Sequence, residues 1–329
     1  MAGRAAAAPK RIAFPEAGNP NVLRTAQLAA AQGMGWPVLL GSPEQIEALA
    51  RRYSVSTEKF SYFDYTSESR LRQLAGEYCA AFSDLSEKAV LRKAKDPLRC
   101  GLLLLKLHKV DCLAAGKDYA TGDVVLNAIS MIGLRPGVEA PSSIGIADIP
   151  GFSGGENDML ALADCAITVQ PDARDLAGIA AASADTVRQL LGWEPRIALL
   201  GFSTCGSAEH ASLEVIRQGV AMARELRPGI KIDGEFQLDA AILASTAAKK
   251  VTRESDVAGR ANVLVFPNLH AGNIGVKLIQ IFGKANAYGP ILQGFAQPIC
   301  DFSRSAPVDE MLGNVAMLVV RAGDSEARL

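Results

Sequence analysis

Residues 11–45 read RIAFPEAGNPNVLRTAQLAAAQGMGWPVLLGSPEQ, and the alternation within this stretch decides the fold class. Residues 11–15 are typical of a short strand, and residues 36–41 are typical of a second, buried strand. Between them, residues 21–32 repeat apolar side chains at helical spacing, and Ser42 opens a further helix with capping chemistry. Strand–helix–strand–helix at this spacing predicts a parallel, doubly wound α/β sheet.

The same alternation continues along the rest of the chain. Further strands are predicted at 110–115, 196–203, 231–235, 261–267 and 289–296, and further helices at 124–132, 175–191, 208–226, 239–250, 275–282 and 312–321. Residues 160–169 are predicted to be a helix end followed by a strand. The alanine-rich residues 1–9 are predicted to be a frayed tail. The segment Gly133-Leu-Arg-Pro-Gly137 breaks the pattern and predicts a domain boundary.

Composition and charge narrow the classes of function. The chain has 329 residues, of which 49% are hydrophobic and 21% are charged, so it can bury a sizeable core and form two domains. Its net charge of −1 provides no general basic field for nucleic acid or for an anionic membrane, although a local cationic pocket is allowed. No apolar run approaches the ~18 residues that span a bilayer, and the first residues lack the apolar segment of a secretory signal.

The cysteines and histidines predict neither a disulfide framework nor a metal site. Six cysteines occur without a Cys-x-x-Cys pair, which is typical of reduced thiols in a cytoplasmic protein. Only three histidines are present, so acid–base chemistry is expected from carboxylates or from a cofactor.

Ligands of open parallel sheets bind beyond the carboxyl ends of the strands, and several such ends carry polar side chains. The segment Ser203-Thr-Cys-Gly-Ser207 offers hydroxyls and backbone N–H groups to an anion, but a helix cap formed by Ser207 explains it equally well. The segment Asn268-Leu-His-Ala-Gly-Asn-Ile-Gly275 offers an amide and two glycines, and a plain β–α turn explains it equally well. The lone His270 is interpreted as structural.

A further strand end, Asp301-Phe-Ser-Arg-Ser-Ala-Pro-Val-Asp-Glu310, combines one arginine, two hydroxyls and three carboxylates. A guanidinium beside hydroxyls suits a phosphate-like anion, which it binds through charge-assisted bidentate hydrogen bonds. A solvated charged loop is the common explanation of such a cluster. Lys117 follows Gly116 at another strand end and is an additional candidate for anion binding.

These strand ends resemble the signature segments of the phosphate acetyl/butyryl transferase family. Leu199-Leu-Gly-Phe-Ser-Thr-Cys-Gly-Ser-Ala208 is similar to its LSFSTxGSA, and residues 233–241 are similar to its DGELQxDAA. Residues 258–277 resemble AGxANVLVFPDLxxGNIGYK, and residues 289–298 with Ser303-Arg304 complete the series. Several long motifs in the right order cover nearly the whole chain, which resembles the short form of the family.

The resemblance implies an α/β fold of two domains with mainly parallel sheets flanked by helices and an active-site cleft between them. The implied bounds are residues 1–136 plus 291–329 for domain I and 137–290 for domain II. The implied reaction interconverts acyl-CoA plus phosphate and acyl phosphate plus CoA, by direct thiolate attack in a ternary complex. Coenzyme A is then a substrate, no permanently bound cofactor or metal is implied, and the expected assembly is a homodimer.

The resemblance also implies roles for individual residues. Ser303 matches the serine that binds substrate and stabilises the transition state, and Arg304 matches its neighbour in the phosphate and acyl site. The catalytic aspartate of the family aligns with Glu310, with Asp309 directly before it, and the assignment between the two stays open. The matching residues of the substrate-binding segments are Ser203, Thr204, Gly206, Ser207, Asn273 and Gly275.

The chain departs from the family pattern at two cationic positions. The arginine of the family segment TxDxxR aligns with Leu126, and the arginine of RxxKG has no counterpart near Ala80. A lost charged hydrogen bond commonly costs ~1.5–3 kcal/mol, so turnover requires a replacement such as Lys117 or Arg99. The leading hypothesis is an active phosphate acyltransferase. The alternatives are a catalytically impaired binding or regulatory paralogue and an acyltransferase for propionyl or butyryl groups.

Overall fold

The computed structural model describes residues 1–326, which form two compact units. Unit 1 contains Met1–Gly133 and the segment that begins at Phe295, and unit 2 contains Leu134–Gly294. Unit 1 is therefore assembled from two separate stretches of the chain, and unit 2 from one continuous stretch.

The elements are numbered in chain order. Residues 1–133 form α1 (Ala2–Ala7), β1 (Lys10–Phe14), α2 (Pro20–Ala31), β2 (Gly35–Leu40), α3 (Pro43–Arg52), β3 (Ser61–Phe63), α4 (Glu68–Ala81), α5 (Glu87–Ala94), α6 (Pro97–Lys106), β4 (Cys112–Ala115) and α7 (Thr121–Met131). Residues 134–294 form β5 (Ser142–Asp148), β6 (Met159–Ala163), α8 (Ala173–Leu191), β7 (Arg196–Leu200), α9 (Ala211–Leu226), β8 (Lys231–Phe236), α10 (Leu238–Ile242), α11 (Ala244–Lys250), β9 (Val263–Val265), α12 (Leu269–Ile281) and β10 (Asn286–Gln293). The remaining elements are β11 (Ile299–Asp301) and α13 (Val308–Glu326).

The strands of unit 1 form a parallel sheet in the order β3-β2-β1-β4-β11. The two strands predicted from the opening stretch are confirmed as β1 and β2, in which Ala13 pairs with Val38. Side chains such as Ile12, Phe14 and Leu113 are fully buried, which explains why the central positions of these strands are apolar. The predicted parallel α/β fold is confirmed.

Helix α2 illustrates how the sequence covers this sheet. Asn19 caps the helix by accepting a hydrogen bond from the backbone N–H of Asn21 at 2.9 Å, and Pro20 occupies the first position, where no donor is needed. Val22 and Leu23 lie on the buried face. The late helix α13 packs against α2, so the second stretch of unit 1 completes the core of the first.

The sheet of unit 2 is mixed. Its order is β10-β5-β6-β9-β7-β8, in which β5 pairs antiparallel with both β10 and β6, and the other neighbours are parallel. The strand at residues 142–148 is not among the predicted elements. The helix end predicted from residue 160 is wrong, because Met159–Ala163 is a strand whose apolar side chains are buried.

The first residues are not a frayed tail, so that prediction is wrong. Residues 2–7 form α1, in which Ala5 is fully buried, and α1 packs against α13. Alanine favours the helical backbone, and packing supplies the stability that so short a helix lacks alone.

Helix α12 begins at Leu269, six residues before its predicted start. Asn268 caps it by accepting the backbone N–H of Ala271 at 3.0 Å, so the segment predicted as a strand-end loop is largely helical. Gly272 is buried, and a Cβ at this position would overlap the carbonyl oxygen of Asp164. Close packing of α12, rather than ligand access, therefore requires this glycine.

Candidate active site

The segment Phe302–Ala306 follows β11 and leads towards α13. It carries Ser303 and Arg304, to which the family resemblance gives roles in the phosphate and acyl site. The backbone N–H of Phe302 donates to the carbonyl of Ala115 at 2.6 Å, which continues the parallel pairing past the strand end. Ser303 is half-buried, and its Oγ lies 3.0 Å from Oγ of Ser305. Arg304 is exposed, so its guanidinium is accessible to an anion from solution.

Lys117 holds this segment in place. Its side chain is largely buried, and its Nζ donates to the carbonyl oxygens of Arg304 and Ala306, each at 2.8 Å. The ammonium predicted from the sequence to bind an anion is thus used within the protein. The structure brings Lys117 together with Arg304 through the backbone of that residue.

Glu16 fixes the loop that carries Lys117. Its carboxylate accepts the backbone N–H groups of Lys117, Asp118 and Tyr119 at 3.1, 2.5 and 2.9 Å. Burial raises the pKa of Glu16, and the three amides oppose that rise. The β4–α7 loop is therefore held at its start by a carboxylate from the end of β1.

Asp301 carries a buried carboxyl group. In the sequence it was recognised only as one of three carboxylates in residues 301–310. Oγ1 of Thr121 donates to its Oδ2 at 2.6 Å, whereas Oδ1 is buried and has no hydrogen-bond partner among the described residues. Burial raises the pKa of Asp301 to about 7, against the hydrogen bond from Thr121. Its position directly before the Phe302–Ala306 segment was visible in the sequence, but its burial was not.

The acidic pair that aligns with the catalytic aspartate of the family lies in the first turn of α13. Asp309 is exposed and Glu310 is half-buried. Both carboxylates stand at the helix N-terminus, where negative charge is favourable. They follow Arg304 by five and six residues, on the helix that the Phe302–Ala306 segment leads into.

In unit 2, the Ser203–Ser207 segment is folded against Glu235. Oγ of Ser203 donates to Glu235 at 3.0 Å, and the backbone N–H of Gly206 donates to the same oxygen at 2.9 Å. Oγ1 of Thr204 accepts the backbone N–H of Gln237 at 3.0 Å. Ser203 and Thr204 are buried and engaged, whereas Gly206 and Ser207 are exposed.

The carboxylate of Glu235 stays ionised at neutral pH and holds the Ser203–Ser207 segment through hydrogen bonds. Burial raises its pKa, but hydrogen bonds from Arg217, from the amide of Gly206 and from Ser203 outweigh that effect and lower the pKa to about 2. The Nε of Arg217 lies 3.0 Å from the carboxylate. Helix α9 begins only at Ala211 and is capped by His210, so Ser207 is not its cap.

The two other predicted binding residues lie on α12 of unit 2. Asn273 is exposed, and its Nδ2 donates to the carbonyl of Cys165 at 3.3 Å. Gly275 follows two residues later and packs beside Phe266. Both therefore occupy a rigid helix rather than an adaptable turn.

The position of the missing family arginine is occupied by an exposed apolar side chain. Leu126 lies on α7 with 67% of its surface exposed. Its neighbour Asn127 accepts a hydrogen bond from Nε of Arg99 at 2.8 Å. A guanidinium from α6 therefore contacts the residue that follows Leu126 in the chain. Ala80, near the other missing arginine, is exposed on α4.

A cavity of about 520 Å³ opens in unit 2 at the carboxyl ends of β7 and β9. Its walls are largely apolar and include Leu200, Phe202, Ile216, Leu238 and Phe266. This volume is within the range of small-molecule sites.

The side chains of residues 1–323 include no group of three or more His, Cys, Asp or Glu arranged to hold a metal ion. None of the helices described within residues 1–326 combines the length and the apolar character needed to cross a membrane.

Comparison with known proteins gives matches along nearly the whole chain. A family model described as phosphate acetyl/butaryl transferase matches residues 1–319. The chain is 38% identical over 319 residues to the phosphate acetyltransferase of Thermoanaerobacterium thermosaccharolyticum, covering 95% of each protein. It is 37% identical over 319 residues to that of Clostridium acetobutylicum, covering 95% of this chain and 94% of that protein. A crystal structure of a phosphotransacetylase from Streptococcus pyogenes is similar with a TM-score of 0.86 at 29% identity, covering 96% of this chain and 94% of that one.

Proposed function

Since the chain belongs to the phosphate acetyl/butaryl transferase family and is an acyltransferase, we propose that it interconverts acyl-CoA plus phosphate and acyl phosphate plus CoA. The observation that carries the proposal is the segment of Ser303 and Arg304, whose backbone is held by Lys117 while the guanidinium is exposed. A cation fixed by its backbone and open to solution suits the phosphate group that both directions of the reaction require.

We assign the chemical step to direct transfer in a ternary complex. In the direction of acyl-CoA formation, the thiol proton passes to the carboxylate of Asp309 or Glu310. The sulfur then bonds to the carbonyl carbon, and the bond from that carbon to the phosphate oxygen breaks. Arg304 neutralises the phosphate oxygens, and the hydroxyl of Ser303 donates to the developing oxyanion. Coenzyme A is a substrate here, and the step uses neither a metal nor a covalent enzyme intermediate.

We divide the remaining predicted residues by their burial. Gly206, Ser207, Asn273 and Gly275 are proposed to contact CoA or its acyl group. Ser203 and Thr204, which are buried and hydrogen-bonded, support that segment instead.

Among the cations, Lys117 positions the Arg304 segment. Arg99 is proposed to replace the family arginine, because its Nε bonds Asn127 directly beside Leu126. Its remaining guanidinium nitrogens can then face an anion.

The test is consumption of free thiol when purified protein receives acetyl phosphate and CoA. We expect turnover of about ten per second or more, and a loss of about 100-fold or more in kcat/KM for Arg304→Gln. The matched control is Arg24→Gln, an exposed arginine that contacts Gln27 on its own helix and should keep the wild-type rate. An unchanged rate in Arg304→Gln would refute the assigned role. Binding of CoA without turnover for any acyl group would instead support a regulatory paralogue.

A second candidate substrate class is the propionyl or butyryl group. The apolar cavity of unit 2 favours it, because additional methylenes gain free energy on transfer to such walls. Ile216→Phe narrows this cavity and should lower kcat/KM for butyryl-CoA more than for acetyl-CoA. An equal effect on both substrates would leave acetyl-CoA as the proposed substrate.

We further propose a homodimer formed through α12. Ile274, Leu278, Ile281 and Phe282 project from its outer side, each about half or more exposed, with Phe282 at 79%. A contiguous apolar face on a soluble protein marks a protein contact, and two-fold dimers are the commonest assembly. Sedimentation should show a dimer that dissociates in Ile281→Glu but persists in Leu226→Glu, which alters an exposed leucine on α9. A wild-type monomer would contradict the proposal.

A cytoplasmic location is proposed from the cysteines. All six are present as free thiols, a state that a reducing compartment maintains. Fractionation of cells should recover the protein with the soluble cytoplasmic contents, and recovery in a secreted or membrane fraction would contradict this placement.

A further inference from the structure

The carboxyl of Asp301 occupies a closely fitted place beneath the Arg304 segment. Its side chain is fully buried at the end of β11, with Oδ2 held by Thr121 and Oδ1 without a partner among the described residues. Gly116 provides the space, because its φ of +99° suits glycine and a Cβ there would overlap Oδ1. The fold therefore keeps a carboxyl at this point although one of its oxygens forms no hydrogen bond with any residue that the structure describes.

Charged groups reach this carboxyl from several elements. Glu16, at the end of β1, raises the pKa of Asp301 further after burial, and Arg304, in the following segment, lowers it. From the loop after β4, the ammonium of Lys117 is directed to the carbonyls of the Arg304 segment. From α13, Arg321 acts on the neighbouring Cys300. The electrostatic interaction between Asp301 and Arg304 is the one that affects anion binding at Arg304.

The effect on Arg304 depends on the proton of Asp301. With the proton in place, the carboxyl is neutral and the guanidinium keeps its full attraction for an oxyanion. Without it, the buried carboxylate competes electrostatically with the oxyanion for the same guanidinium, and Glu16 adds to the unfavourable negative charge. By linkage, an oxyanion bound at Arg304 must favour the protonated state of Asp301.

We propose that Asp301 is a positioning residue that sets the oxyanion affinity of Arg304 through its own proton, so that the oxyanion binds together with a proton. The proposal rests on the proposed function, in which Arg304 binds the phosphate group. It explains why a carboxyl, rather than a neutral amide, occupies this buried site. The expected consequence is weaker oxyanion binding as the pH rises through neutrality.

The probe is sulfate, an oxyanion whose charge stays constant around neutral pH, whereas phosphate itself titrates there. Calorimetric titration of the full chain at constant ionic strength should show affinity for sulfate falling about threefold or more from pH 6 to pH 8.5. Asp301→Asn should bind sulfate equally well at both values. In wild-type protein at pH 7, repeating the titration in two buffers of different ionisation enthalpy should show uptake of a fraction of a proton.

The outcomes separate this proposal from the one on which it rests. If Arg304→Gln binds sulfate as tightly as the wild type, the phosphate role of Arg304 fails. If Arg304→Gln loses binding but Asp301→Asn retains the wild-type dependence on pH, the role of Asp301 is overturned. Should Asp301→Asn fail to fold, the wild-type proton uptake decides, and binding without any uptake overturns the proposal.

Discussion

Replacing Asp301 with Asn removes a carboxyl whose pKa burial raises from 3.8 to about 7. In the unfolded chain this group ionises near its ordinary value, whereas in the folded chain it keeps its proton up to about pH 7. Its contribution to folding is therefore fully present below about pH 3.8 and is lost as the pH rises to about 7. The native protein should lose stability over this range because of this one residue.

The size of the loss follows from the pKa values. Each unit of difference corresponds to 1.36 kcal/mol, so the whole change amounts to about 4 kcal/mol, of which about 2.5 kcal/mol falls between pH 5 and pH 8. No allowance for solvent screening is needed, because the Asp301 side chain is fully buried. The unfolding free energy of the wild type should show this decrease between pH 5 and pH 8, and that of Asp301→Asn should not.

Urea unfolding followed by tryptophan fluorescence can measure the effect in unit 1 alone. The chain has two tryptophans, Trp36 in unit 1 and Trp193 in unit 2, so a Trp193→Phe background leaves only the reporter on β2. Unfolding free energies at pH 5 and pH 8 are compared between the background and its Asp301→Asn derivative. Asp123→Asn, which changes an exposed carboxylate in the first turn of α7, serves as the control. Equal pH dependence in all three proteins would refute the reasoning.

Further substitutions test other parts of the structure. Lys117→Met should cost about 3 kcal/mol of unfolding free energy and lower acyl transfer, because two backbone carbonyls lose a charged donor; urea unfolding and the thiol assay measure both. Glu235→Gln should cost about 2 kcal/mol in urea unfolding, because the guanidinium of Arg217 loses its ionised partner. Gly272→Ala should cost about 1–3 kcal/mol by the same method through overpacking, whereas Gly178→Ala, which meets no neighbour on α8, should gain up to about 1 kcal/mol.

Each of these expectations has an outcome that contradicts it. Full activity in Lys117→Met would show that the Arg304 segment keeps its place without the ammonium. Wild-type stability in Glu235→Gln would show that hydrogen bonds to a neutral amide suffice. Equal effects of the two alanine substitutions would show that helix propensity, not close packing, governs Gly272.

The strands and helices of the opening stretch were predictable because their pattern depends on local burial. A strand segment covered on both faces must be apolar, and residues 12–14 of β1 and 37–40 of β2 follow this rule. Strand β5 could not be recognised in the same way. Its residues 142–148 include two serines and Gly145, and it becomes a strand by pairing with β6 and β10, which lie far from one another in the sequence.

The candidate site shows the same division between local and long-range information. The guanidinium, hydroxyls and carboxylates of residues 301–310 are adjacent in the sequence, so their cluster was visible without a structure. The role of Lys117 depends on carbonyls nearly two hundred residues away. Likewise, the engagement of Ser203 depends on Glu235, and the burial of Asp301 depends on Gly116. Residue type predicts the available chemistry, and only the fold decides which groups remain accessible.

The division of unit 1 into two stretches has a consequence for protein synthesis. The ribosome completes all of unit 2 before it makes β11, so until then the nascent chain exposes one edge of β4. Such an unpaired apolar edge invites association with other chains, and a chaperone that shields it would raise the yield of native protein. The Phe302–Ala306 segment follows directly after β11, so a nascent chain can place Ser303 and Arg304 only after the whole of unit 2 has been made.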